Sequence, residues 1–166
     1  MQSGVVIDVL SNIEDTLDNP NAMLKDMGEH LTGTTQQRFK TSTAPDGSKW
    51  APNTQTTYLN LLGKKHSNKN NTINSKGVSR ITSKKPNVLS NNLMNSIHYQ
   101  ISGDLLLVGS PLIYAGTAHF GAKKHSFGKG APWGDIVSRE YLGISMADEK
   151  ELYAIAEDHL MGWFAF

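Results

Sequence analysis

The sequence predicts an α+β fold: two N-terminal helices and a C-terminal helix packed on a small antiparallel sheet, with a long polar loop or arm in the middle. Three observations carry this. Apolar residues recur at helical spacing over 4–17 and 147–162. Apolar runs flank the turn Ser102-Gly103-Asp104, which is a hairpin signal. Between the helices and the hairpin, residues 63–87 contain only Ile73, Val78 and Ile81 as apolar side chains.

Each element has its own warrant. Over 4–17, Val6, Val9, Leu10, Ile13 and Leu17 fall on one helical face. Asp18-Asn19-Pro20 stops that helix, with Asn19 placed to cap and Pro20 to begin a second one running to about residue 40. Pro45-Asp46-Gly47 is a tight turn, because Pro presets φ and Gly accepts φ > 0. Trp50 follows it as a core anchor or, alternatively, a binding aromatic. Residues 55–62 form a short helix. Residues 88–120 read as a β region, opened by a helical turn over 88–93. Within it, Ile97, Tyr99 and Ile101 share one strand face, and 105–109 is the second strand. Residues 136–143 read as strand-like. In the last helix Asp148 is the expected cap, and Leu152, Ile155, Ala156 and Leu160 form the apolar face.

The chain of 166 residues suits one domain, since domains commonly run to roughly 100–200 residues. Its net charge of +1 hides a division. Residues 1–47 hold seven acids and three bases, and 104–166 hold eight acids and five bases. The middle is basic: Lys49, Lys64, Lys65, Lys69, Lys76, Arg80, Lys84 and Lys85 occur without an acid between Asp46 and Asp104. The stretch 64–85 is either a solvated flexible insertion within 63–87 or a surface for phosphates or an acidic protein. No aromatic lies in 63–87, so nucleic-acid contact there would be salt-sensitive and without sequence preference.

Several chemistries are excluded or disfavoured. Without cysteine there is no disulfide, thiolate catalysis or Cys-ligated metal. No GxxxxGK[ST], strand-linked GxGxxG, HExxH or GxSxG is present. His119 and His125 lack a third ligand at a useful spacing. No cofactor is expected, and a non-enzymatic protein is the stronger reading. No stretch approaches the ~18 apolar residues of a membrane span, and residues 1–17 lack the basic start of a secretory signal. The aromatic residues Trp163, Phe164 and Phe166 in 160–166 either fold onto the domain's own core or anchor an interface.

One ordered set of residues resembles a known family. It runs from Phe39 through Pro45-Asp46-Gly47 and Trp50 to Val88-Leu89-Ser90 with Leu93, Ser96 and Ile97. It continues with Val108-Gly109-Ser110 and Tyr114-Ala115-Gly116-Thr117-Ala118-His119-Phe120-Gly121. It ends on Ser138-Arg139-Glu140-Tyr141-Leu142-Gly143, then Ser145 and Asp148. Order and spacing together resemble the phage virion morphogenesis family, the tail-completion proteins of Mu-like and P2-like contractile-tailed phages, over about 5–160. Asn91 or Asn92 stands where the family has a turn glycine, and Asn is the next-best left-handed residue. The proline that the family has shortly before its arginine is absent: Ser138 precedes Arg139, with Pro132 several residues earlier.

The resemblance implies a structural virion protein that completes the head-proximal end of the tail so that head and tail join. It implies a homo-oligomeric ring, expected as a hexamer, meeting tail terminator or tube proteins and head–tail connector proteins. Packaged DNA is a further expected contact. The location implied is the virion tail or neck, and the host cytoplasm during assembly, with no membrane partner. Under this reading Trp50, Tyr114 and Phe120 anchor the core, Arg139 makes an ion pair or backbone contact near Leu142-Gly143, and His119 is a buried hydrogen-bonded residue. The alternative is a non-sequence-specific nucleic-acid-binding protein acting through 64–85.

Overall fold

The computed structural model describes residues 11, 13–14, 18–62, 66, 73–87, 91–128 and 134–161. The helix expected over 4–17 lies largely outside them, as do Lys64, Lys65, Lys69 and 162–166. The elements are α1 (Asn21–Thr41), α2 (Gln55–Leu62), α3 (Ser75–Thr82), α4 (Asn92–Asn95), β1 (His98–Ser102), β2 (Leu105–Gly109), α5 (Ala115–Phe120) and α6 (Met146–Met161).

The expected α+β architecture holds. β1 and β2 pair antiparallel with Ser102 opposite Leu105 and His98 opposite Gly109. Tyr99 and Ile101 of β1, with Leu106 and Val108 of β2, are the less exposed residues, so one face of the hairpin is turned inward. That face lies on α1 at Gly28, where a Cβ would come within 2.6 Å of the Tyr99 ring. Helix α6 also packs on α1. Asp148, near the start of α6, meets Arg38 near the end of α1, while His159 meets Asp26 near its start. The two helices are therefore antiparallel. The core is Phe39, Trp50, Leu93, Ile97, Ala115 and Tyr141.

Four expectations are corrected. The polar stretch 63–87 contains α3, because Asn74 caps a helix: its side chain accepts from the Gly77 amide at 2.8 Å. Gly77 is buried, and a Cβ there would meet Ile73, Leu62 and the His66 carbonyl. Residues 115–120 of the supposed β region are helical. Residues 136–143 form no strand. Their only ladder contact is the bridge of Ile136 with Ala122, because other backbone groups of the segment bind side chains and the end of α5. Asp148 is not the cap of α6; Ser145 is. The Ser145 hydroxyl accepts from the Asp148 amide at 3.1 Å, and the Asp148 carboxylate accepts from the Ser145 amide at 2.8 Å. This reciprocal pair is a capping box with Asp in the third position. The turn at Asn91 fits expectation, with φ 59°.

Candidate assembly surfaces

The end of α1 gathers distant parts of the chain. Phe39 has no exposed surface and meets Trp50 edge-on at 5.3 Å and Tyr141 at 5.0 Å between ring centres. Such pairs contribute about 0.5–1.5 kcal/mol beyond their burial. Trp50 donates its indole N–H to the Glu140 carbonyl at 2.8 Å. Gly143, at φ 143°, lies against Pro45: a Cβ there would fall 2.8 Å from the proline ring. The Pro-Asp-Gly turn is thus fastened to 140–143, which is why both pieces occur in one pattern. The turn itself closes through the Gly47 amide on the Ala44 carbonyl at 3.0 Å, with Asp46 accepting from the Ser48 amide at 2.9 Å.

Arg38 is the polar counterpart. It donates to the carbonyls of Tyr141 and Gly143 at 3.0 and 2.7 Å, and to the Asp148 carboxylate. His30 approaches the other Asp148 oxygen at 3.2 Å. Burial raises the Asp148 carboxyl, but hydrogen bonds from Ser145 and Thr34 and the charge of Arg38 outweigh it. The net effect holds Asp148 below the ordinary carboxylate range. Both ions are buried, so each depends on the other. The sequence reading missed Arg38 and His30, and it placed Ser145 in the ordered family pattern without its capping role. The Ser-x-x-Asp spacing before an apolar run was the available signal for Ser145; Arg38 and His30 offered none.

His119, expected buried and hydrogen-bonded, is half-buried, with Nδ1 accepting from the Tyr141 and Leu142 amides at 3.2 and 3.4 Å. Burial pushes it below the usual histidine value, with Glu140 opposing. Gly121, at φ 73°, passes so close to 136–138 that a Cβ would lie 2.5 Å from the Ile136 carbonyl oxygen. Arg139 makes backbone contacts, but elsewhere than expected: it donates to the carbonyls of Ala51 at 2.9 Å and Pro52 at 3.0 Å. It braces the segment after Trp50; Arg38, not Arg139, holds the Leu142-Gly143 turn. Trp50 and Leu142 belong to the core or pack on it. Tyr114 and Phe120 do not, being 46% and 77% exposed. On α5 the small Ala115 and Ala118 face the core, so the aromatic residues are left outside.

Two outward features bear on docking. Lys40, Arg80, Lys84 and Lys85 line one open hollow of about 610 Å³ together with Leu61 and Met94, and none of the described residues lining it is acidic. Lys85 donates to the Lys40 carbonyl at 2.6 Å, and burial lowers Lys84 from the usual lysine value. Lys76 and Arg80 border a second hollow with His66. The second feature is apolar: Ile113, wholly exposed, and Phe120 stand at the two ends of α5. No group of three or more metal-ligating side chains occurs among the described residues, and no helix among them is long and apolar enough to cross a membrane.

No curated protein and no solved structure matches the chain. The profile of the phage virion morphogenesis family matches residues 3–161. That span takes in the junction of Phe39, the Pro-Asp-Gly turn, Trp50, His119 and Leu142-Gly143, and with it nearly the full length: the chain belongs to the phage virion morphogenesis family.

Proposed function

We propose that this protein completes the head-proximal end of the tail in a tailed phage or prophage, enabling head and tail to join, and that it acts as a homo-oligomeric ring at the neck. Family membership gives the coarser part, a structural and morphogenetic role in a phage virion. The observation that carries the finer part is how the family-pattern residues are used. Phe39, Pro45, Trp50, His119, Gly121, Leu142 and Gly143 build a junction that fixes the fold, and the polar groups there are consumed by internal hydrogen bonds. The outward surface includes a basic hollow and exposed apolar side chains such as Ile113 and Phe120, which suits docking to unlike partners such as tail terminator, tail tube and head–tail connector proteins.

The test is genetic and visual. Removing the gene from the genome that encodes the protein should leave heads and tails unjoined in electron micrographs of the lysate. Purified protein added back should restore joined particles. Joined, infectious particles formed without it would overturn the reading.

A second reading has its own observation. The hollow lined by Lys40, Arg80 and Lys85 suits phosphate oxygens, so the protein contacts DNA without reading its sequence. Affinity for random duplex DNA should fall steeply with salt in a gel-shift titration, and Arg80→Ala with Lys85→Ala should flatten the slope by about 2. Undetectable binding at low salt removes this reading.

A further inference from the structure

The exposed apolar residues Ile113 and Phe120 flank α5 at one end of α1, and the C-terminal end of α6 lies at the other. Both ends of α5 are tied to the end of α1 that carries Phe39. The Ala115 carbonyl accepts from the Tyr141 hydroxyl at 3.0 Å, the carbonyls of Ala118 and His119 accept from the Arg139 amide, and the His119 ring meets the Tyr141 ring. Helix α6 runs the other way, and His159 is level with Asp26. From Asp26 to Phe39 along α1 is about 20 Å, at 1.5 Å per residue, and Met161 lies beyond His159 on the far side.

Reach then decides what can touch what. Phe166 is five residues past Met161, so even a fully extended chain carries its backbone only about 17 Å. Trp163 and Phe164, two and three residues past Met161, are carried only about 7 and 10 Å, which falls short of α5 within one molecule even with their side chains added. A second molecule has no such limit. The α5 surface is also shaped for a visitor. Ile113 is wholly exposed in the turn entering α5, and Phe120 closes the helix 77% exposed. Gly116 lies between them in the chain and leaves open space, since a Cβ there would meet nothing within 4 Å. Two bulky apolar side chains flanking a side-chain-free notch make a seat for an aromatic ring.

We propose that residues Trp163, Phe164 and Phe166 of one subunit dock on the Ile113–Phe120 face of α5 in the next copy of this chain. The contact joins unlike surfaces at opposite ends of the molecule, so it is heterologous and propagates head-to-tail into a ring or a filament. It rests on the ring reading above and names the interface that reading lacks.

The experiment uses full-length protein and light scattering across concentration. Wild type should exceed the 18.2 kDa of one subunit. Deletion of 162–166, Phe120→Asp and Ile113→Asp should each return it to monomer mass, with the thermal transition kept. Mixing the deletion variant with F120D is decisive. One brings an intact α5 and the other an intact tail, so the mixture should form dimers and nothing larger. A multimer that survives all three variants overturns this interface and leaves the ring. A wild type that stays monomeric overturns the contact, and the add-back experiment then judges the ring separately. Loss of the thermal transition on deleting 162–166 assigns the tail to its own core and overturns the proposal, as does a mixture that stays monomeric.

Discussion

Arg38 holds two carbonyls and a carboxylate at once, and Asp148 answers with a capping box at the head of α6. Arg38→Ala therefore strands a buried carboxylate. It should cost about 3–5 kcal/mol in urea denaturation, whereas Asp148→Asn, which keeps the shape, should cost less. Two residues of this junction make the fold sensitive to acid. His119 is depressed in the fold, so its contribution is complete above the unfolded value of about 6.5 and shrinks as pH falls through the folded one. Asp148 is also depressed, so its contribution is complete above about 4 and is lost at lower pH still. His119→Asn, which keeps an acceptor for the Tyr141 and Leu142 amides, should remove the first decline in Tm between pH 7 and 5 and leave the second. A wild-type Tm flat over that range would contradict the assignment. Of these residues the sequence made His119 legible, through its place in an ordered pattern. Arg38 was not legible, because its partners lie 103 to 110 positions away and no local spacing announces them.

Elements with strong local signals were readable: α1, α2, α6 and the β1–β2 hairpin stand close to their expected limits. The failures have two causes, averaging over a polar stretch and packing that overrides local preference. Over 63–87 the polar majority hid an eight-residue helix whose cap, Asn74, and apolar residues Ile73, Val78 and Ile81 were all in view. In α5 the sequence Ala-Gly-Thr-Ala-His-Phe has little helical preference of its own, and the packing of Ala115 and Ala118 on the core decides it. Packing also reverses the usual glycine rule in α1. Gly33→Ala, with open space around it, should stabilise by about 0.5–1 kcal/mol. Gly28→Ala drives a methyl into the rigid Tyr99 ring and should destabilise by about 1–3 kcal/mol despite the gain in helix propensity. Thermal scans of the pair distinguish the two, and equal signs would refute the packing of the hairpin on α1.

At the scale of the molecule, the charge division read from sequence has a partial structural counterpart: Arg80, Lys84 and Lys85 meet Lys40 around one hollow, while Lys76 sits at a neighbouring one. The expected oligomeric behaviour is correspondingly split by ionic strength. Salt should weaken contacts made through the basic hollow and leave an aromatic contact between subunits intact or stronger, which light scattering at low and high salt will separate. The junction at the end of α1 adds a constraint of time. Its Arg38–Asp148 pair closes a loop of 110 residues, and Tyr141 must reach Phe39 across a similar span. During synthesis α1 emerges early and waits with its apolar end unsheltered until almost the whole chain has been made. A subunit truncated anywhere before residue 141 lacks the piece that covers Phe39, so prematurely ended chains should go to proteolysis and not to the virion.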